Sequence, residues 1–179
     1  MVRQSNYRSG LLETVMRLIP EAQDATDTLD EAAAGQLHVN RTDLRCLGVI
    51  FRSGTISASG LAAEVGLTRG AMTTALDRLE TAGYIRRSDD PRDGRGVRVE
   101  STPAANVAVQ RIWGPIGTEG AKHLAQYSDD DLEVIRRFLE EYCKLQRVHA
   151  ERIRGMVKEV DNDRTRRRGH GPQGRRRPE

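Results

Sequence analysis

Helix start and stop signals between Ser57 and Ser101 fall so close together that only short elements fit there, and this spacing constrains the fold more than any other feature of the chain. Ser57 precedes the run Ala58 to Val65, and Gly66 follows it; Thr68 precedes a second run that stops near Ala82 and Gly83. Ser and Thr side chains accept a hydrogen bond from an otherwise unpaired amide of the first helical turn. Glycine ends helices because it enters the left-handed region without steric cost. The pattern therefore predicts two compact helices joined by a tight turn. In the second, Met72, Ala75, Leu76 and Leu79 recur at i, i+3, i+4 and i+7 and define a buried face. Gly70, Thr73, Thr74 and Asp77 fall on the opposite, small and polar face. Beyond Gly83 the period changes. Tyr84–Ser88 and Val97–Ser101 are short β-type runs around DDPRDGRG, a stretch of turn formers and charges, so a hairpin with a polar tip follows.

The flanks are helical. Residues 11–34 place Leu12, Val15, Ile19, Ala22, Leu29 and Ala33 at mostly helical spacing, with Pro20 expected to kink or divide the run and Gly35 to stop it. Asn40 or Thr42 caps a helix that carries Leu44, Leu47, Ile50 and Phe51 and ends at Ser53-Gly54, with Thr55-Ile56 as a short extended link. Thr102-Pro103 opens another long helix, proline being tolerated in the first turn, and Gly114-Pro115 with Gly117 should bend or interrupt it. Ser128 followed by three Asp caps the last helix, where negative charge suits the helix dipole. That helix aligns Leu132, Ile135, Leu139, Tyr142 and Leu145 and fades near Gly155. The expected fold class is mainly α with a small β-hairpin wing, a winged helix-turn-helix between N- and C-terminal helices.

Composition narrows the functional classes. Only 4% of residues are aromatic and 37% hydrophobic, enough for a helical domain but thin for a large enzyme, and consistent with apolar surface buried against a second copy. No run approaches the roughly 18 apolar residues of a membrane span. The first residues lack a clean apolar core and cleavage site, and Cys46 and Cys143 fit no metal or redox spacing, so a cytoplasmic protein is expected. The chain carries 29 basic and 26 acidic side chains, net +3, yet residues 164–179 alone hold seven Arg and one Glu. Residues 1–163 are left with 22 basic and 25 acidic side chains, a net of −3. Residues 157–179 are expected to form a disordered Arg-rich tail, either a solvated terminus or a non-specific phosphate-binding arm. There is no P-loop, dinucleotide fingerprint or nucleophile elbow, and His38, His123, His149 and His170 form no i, i+3 or i, i+4 pair. No enzyme activity, cofactor or metal is expected.

The remaining reading is nucleic-acid binding. A helix with short outward side chains can approach base edges in the major groove. Arg69 sits in its first turn, and Thr68 with the neighbouring amides can hold a phosphate. Arg92 and Arg95 project from the hairpin tip toward a minor groove, with Asp93 placed to brace Arg95, while Arg86, Arg87 and Arg98 line the strands. A winged helix used as a protein-interaction module, without specific DNA binding, is the alternative; it has no need of Arg69, Arg92 and Arg95 together.

The run from Leu61 to Pro103 resembles the MarR family of bacterial transcription regulators. The matching pieces are LA..VG.TRG, DRLE..GYI.R, and DPRDGR leading into a Thr-Pro helix start. Flanking helices in the same order extend the likeness over roughly residues 9–156. The resemblance implies a homodimer whose helices at 9–36 and 103–156 intertwine, with residues 37–102 as the DNA-binding domain on a pseudo-palindromic operator of double-stranded DNA. It further implies Ser57, Thr68, Arg69, Thr73, Thr74, Arg92 and Arg95 as DNA contacts, beside Gly70 on the same face, and a regulator that is most simply a repressor. A small-molecule effector is a further partner in such families; Met16, Leu44, Gly48, Arg111 and Trp113 are residues its pocket could draw on, although nothing in the sequence separates them from core. A redox role for Cys46 is disfavoured by its apolar neighbours. Gly60 inside the first short helix and Asp77 on the outward face depart from the family's habit.

Overall fold

The computed structural model describes residues 2–90 and 93–169, with side chains described over 6–89 and 96–156. The chain divides into two compact units, Met1–Thr118 and Glu119–Glu179.

In the first unit, α1 spans Val2–Gln36 as one helix with Pro20 inside it, so the proline does not divide it as one of the two expected outcomes had it. His38, at a φ of 53°, turns the chain into α2 (Arg41–Ser53), whose Asn40 cap accepts a hydrogen bond from the Asp43 amide. β1 (Thr55–Ser57) leads directly into α3 (Ala58–Val65), capped by Ser57 and closed by Gly66 in the left-handed region. Thr68 caps α4 (Arg69–Thr81). At its exit the Gly83 amide bonds Glu80 and the Tyr84 amide bonds Leu79, with Gly83 at a φ of 75°. β2 (Ile85–Asp90) and β3 (Asp93–Ser101) form the wing, and both strands run closer to the tip than the sequence runs suggested. The link at Thr55-Ile56 proves to be a third strand: the sheet order is β1-β3-β2, with Ile56 and Arg87 both opposite Val99. α5 (Pro103–Leu124) is continuous through Gly114-Pro115, so of the bend or interruption expected there, the interruption does not occur. The proline's missing amide removes one ladder bond without ending the helix.

Twelve buried side chains from α2, α3, α4 and the two wing strands make the principal core, among them Ile50, Leu61, Leu79 and Val99. The four apolar positions expected to face inward from α4 are all in it. A second cluster joins Ala33 and Ala34 of α1 and Leu37 of the turn after it to Leu44, with Ile112 and Trp113 of α5 packed against it. Trp113 is thus a packing anchor. The Tyr84 hydroxyl donates to the Leu37 carbonyl at 3.0 Å, tying the wing's entry to the α1–α2 turn.

In the second unit Ser128 opens α6 (Asp129–Gly169): its hydroxyl accepts from the Asp131 amide, and the Asp131 carboxylate in turn accepts from Ser128. The helix carries its backbone on to Gly169, past the Gly155 where the sequence pattern fades. Residues 170–179 of the Arg-rich tail lie outside the described residues, as do the side chains of 157–169. None of the described helices is long and apolar enough to cross a membrane.

Candidate nucleic-acid interface

The candidate site is built on α4. Its inner face is fixed by Met72, Ala75, Leu76 and Leu79 in the core, which turns Arg69, Gly70, Thr73, Thr74 and Asp77 outward, all of them exposed. The Thr68 hydroxyl accepts from the Ala71 amide at 3.3 Å, which leaves the first amides of the helix open to an anion. Arg69 makes no ion pair to any described residue.

Two ion-pair systems set the helix in place. Asp43 of α2 is 2% exposed and receives Arg78 of α4 side-on, Nε to Oδ2 at 2.8 Å and Nη2 to Oδ1 at 2.6 Å. The hydrogen bond to Asp43 raises the Arg78 pKa, so the guanidinium stays charged throughout the working range. A bidentate pair of this kind fixes orientation as well as proximity. On the opposite side Arg87 of β2 holds two acids of α4, Asp77 at 2.5 Å and Glu80 at 3.1 Å. Sequence reasoning placed Arg87 among cations lining the wing for DNA; the structure instead spends it on the helix. Arg86 is likewise paired, with Glu100 across the sheet at 2.6 Å. The Asp43–Arg78 pair was missed. Its signal was present, since Asp43 stands on the same register as Cys46, Leu47 and Ile50, and a lone acid on an apolar stripe calls for a buried partner.

Ser57 sits at the head of α3, where its hydroxyl accepts from the Gly60 amide at 3.1 Å. The glycine at 60 has a steric reason: a Cβ there would lie 3.0 Å from the Ser57 hydroxyl oxygen and 3.5 Å from Ile56. Ser57, Thr68, Arg69, Gly70, Thr73 and Thr74 therefore lie on two consecutive helix starts and the exposed face that follows. Arg92 and the side chains of Asp93 and Arg95 lie outside the described residues.

Of the five residues considered for an effector pocket, Leu44 and Trp113 belong to the second apolar cluster, Met16 is exposed, and a Cβ at Gly48 would meet Arg52. Arg111 alone lines the open cleft of about 850 Å³ between the end of α2 and the start of α5, together with Phe51, Ser101, Asn106, Val107 and Gln110. Cys46 is fully buried, and burial pushes its thiol up to about 11, which keeps it protonated and unreactive near neutrality.

The MarR family profile matches residues 39–97, the segment from the α1–α2 turn to the middle of β3. The chain is 29% identical over 149 residues to the HTH-type transcriptional regulator YcgE of Bacillus subtilis, covering 83% of this chain and 97% of that one. Its fold is similar to that of an Escherichia coli MarR mutant complexed with operator DNA, with a TM-score of 0.52, 24% identity, and coverage of 70% of this chain and 90% of that one. NadR in complex with 4-hydroxyphenylacetate aligns with a TM-score of 0.56 and 20% identity, over 69% of this chain and 87% of that one. Through its winged-helix segment, residues 39–97, the chain is similar to the MarR family.

Proposed function

We propose that this chain is a sequence-specific DNA-binding transcriptional regulator, acting as a homodimer on a pseudo-palindromic operator and most simply as a repressor. The observation that carries the reading is the exposed, thin face of α4, headed by an Arg69 that pairs with no described acid, and held from both sides by Asp43–Arg78 and Arg87–Asp77. A recognition helix needs both properties, because base contacts demand placement to within a fraction of an ångström. Arg92 and Arg95 at the wing tip serve the adjacent minor groove. A MarR solved with operator DNA supports the reading.

Dimerisation is assigned to residues 9–36 and 103–156, and DNA binding to 37–102. In support, α6 leaves Val134, Phe138, Leu139, Leu145 and Val148 exposed along its length, and α1 leaves Leu11, Leu12 and Met16 exposed. Apolar surface of this extent on a water-facing helix is covered in the working protein. The cleft beside Phe51 and Arg111 suits a small anionic effector with an apolar body, which would act by altering the spacing of the two recognition helices.

The test is an anisotropy titration against the promoter DNA upstream of the chain's own gene, with scrambled competitor and at two salt concentrations. Tight, competitor-resistant binding is expected, and Arg69→Ala should weaken it by about 1–3 kcal/mol while the dimer persists. Binding that scrambled DNA competes away equally, and that salt abolishes, would leave only non-specific phosphate contact and would sink the reading.

A further inference from the structure

The polar groups of α4 are almost all spent inside the protein. The hydroxyl of Thr73 donates to the Arg69 carbonyl at 3.0 Å and that of Thr74 to the Gly70 carbonyl at 3.2 Å. Thr81 donates in the same way to Asp77. Arg78 is directed at Asp43, and both acids, Asp77 and Glu80, are held by Arg87. Among the described residues, Arg69 is left as the cation of the helix that no acid holds. Beside it stand the exposed methyl groups of Ala71, Thr73 and Thr74.

A helix in this state has few donors left for base edges, because the Thr73 and Thr74 hydroxyls have given their protons to the helix and can only accept. Adenine is best read by Asn or Gln, and cytosine by an acid accepting from its amino group. α4 carries no Asn or Gln, and its acids Asp77 and Glu80 are each drawn to Arg87. What its middle turn offers is apolar contact, and in the major groove the apolar mark is the C5-methyl of thymine.

We propose that α4 reads its operator half-site through thymine methyl groups packed against the methyls of Thr73 and Thr74, next to the Arg69 guanidinium. The proposal rests on the DNA reading above and adds the base and the chemistry by which it is recognised. Thr73 and Thr74 are specificity-determining residues through Cγ2, with their hydroxyls serving the helix.

Replacing thymine by deoxyuridine removes that methyl and leaves base pairing intact, so the experiment needs no change to the protein. A duplex enriched from a randomised pool by the full chain is resynthesised with each thymine of one half-site replaced in turn. One or two positions should lose about fourfold in affinity, the size of one buried methyl group, and about fifteenfold when both half-sites are changed. T73V/T74V keeps the methyls and should retain both the affinity and the deoxyuridine sensitivity. T73S/T74S keeps the hydroxyls and should lose the sensitivity, with circular dichroism confirming that each variant is folded. Deoxyuridine-neutral binding at every position, or loss of affinity in the folded valine variant, would overturn the proposal while leaving DNA binding intact. Failure to enrich any sequence would overturn the DNA reading itself, and this proposal with it.

Discussion

The winged segment and the last helix treat their apolar residues in opposite ways. In the first, Ile50, Leu61, Leu79 and Val99 are completely shut off from water, drawn from four separate elements into one core. In α6, Leu139 and Leu145 each keep 52% of their surface exposed, and Phe138 stacks on Tyr142 one turn further along the same helix at 5.8 Å. The difference teaches where the chain is sufficient to itself. Residues 37–102 close a core with their own side chains, so their geometry is fixed by this chain alone. The stripe on α6 stays exposed, and this supports the proposed second copy.

The closed region is broken most severely at its buried ion pair. Asp43 lies in the core, whereas Arg78 reaches it from a half-exposed position. Arg78→Ala leaves the carboxylate uncompensated and should cost about 3 kcal/mol in urea unfolding. Asp43→Leu combined with Arg78→Leu should recover most of that loss, because apolar replacements of a buried pair are often neutral. The recovered protein separates two roles for the pair. If it binds specific DNA as well as the parent, the pair only stabilises; weakened binding in a protein of parental stability makes it a positioning device for α4.

On α6 the expected effects are smaller per side chain and of a different kind. Leu139→Ala and Leu145→Ala should each remove about 1–2 kcal/mol from self-association. Sedimentation of the double variant should show dissociation at concentrations where the parent stays paired, while helical content hardly changes. A concentration-independent fall in thermal stability, with no change in mass, would place these leucines in the fold of one chain and end the contrast drawn above.

The same contrast governs what the sequence made legible. The helices of the winged segment were readable because their boundaries are local: Asn40, Ser57 and Thr68 satisfy amides within their own first turns, and Gly66 and Gly83 take the left-handed conformations that end helices. The outward face of α4 was readable for the same reason, since one helical period sorts Met72 and Leu76 from Thr73 and Asp77. What escaped was non-local. That Thr55-Ile56 pairs with β3 depends on a register some forty residues away, and that Arg87 serves Asp77 and Glu80 depends on the angle between a strand and a helix. Gly114-Pro115 does not interrupt α5, because local propensity is only a prior, overridden when a long helix is held by packing at Ala105, Ala108 and Ile112.

The smallest expected effect is the most discriminating, because stability and function should move in opposite directions. Gly70 lies in the first turn of α4, and a Cβ built there meets nothing within 4 Å. The fold gives no reason for a glycine, and glycine in a helix costs about 0.5–1 kcal/mol relative to alanine. Gly70→Ala should therefore raise stability by up to about that amount in urea or thermal unfolding. If α4 must bring its backbone close to DNA, the added methyl stands where a base or phosphate has to approach, and specific affinity should fall even as the protein becomes firmer. A gain in stability with unchanged specific binding would mean that this part of the face stays clear of the duplex. The contacts would then begin at Thr73, and the thin surface at the head of the helix would have no part in recognition.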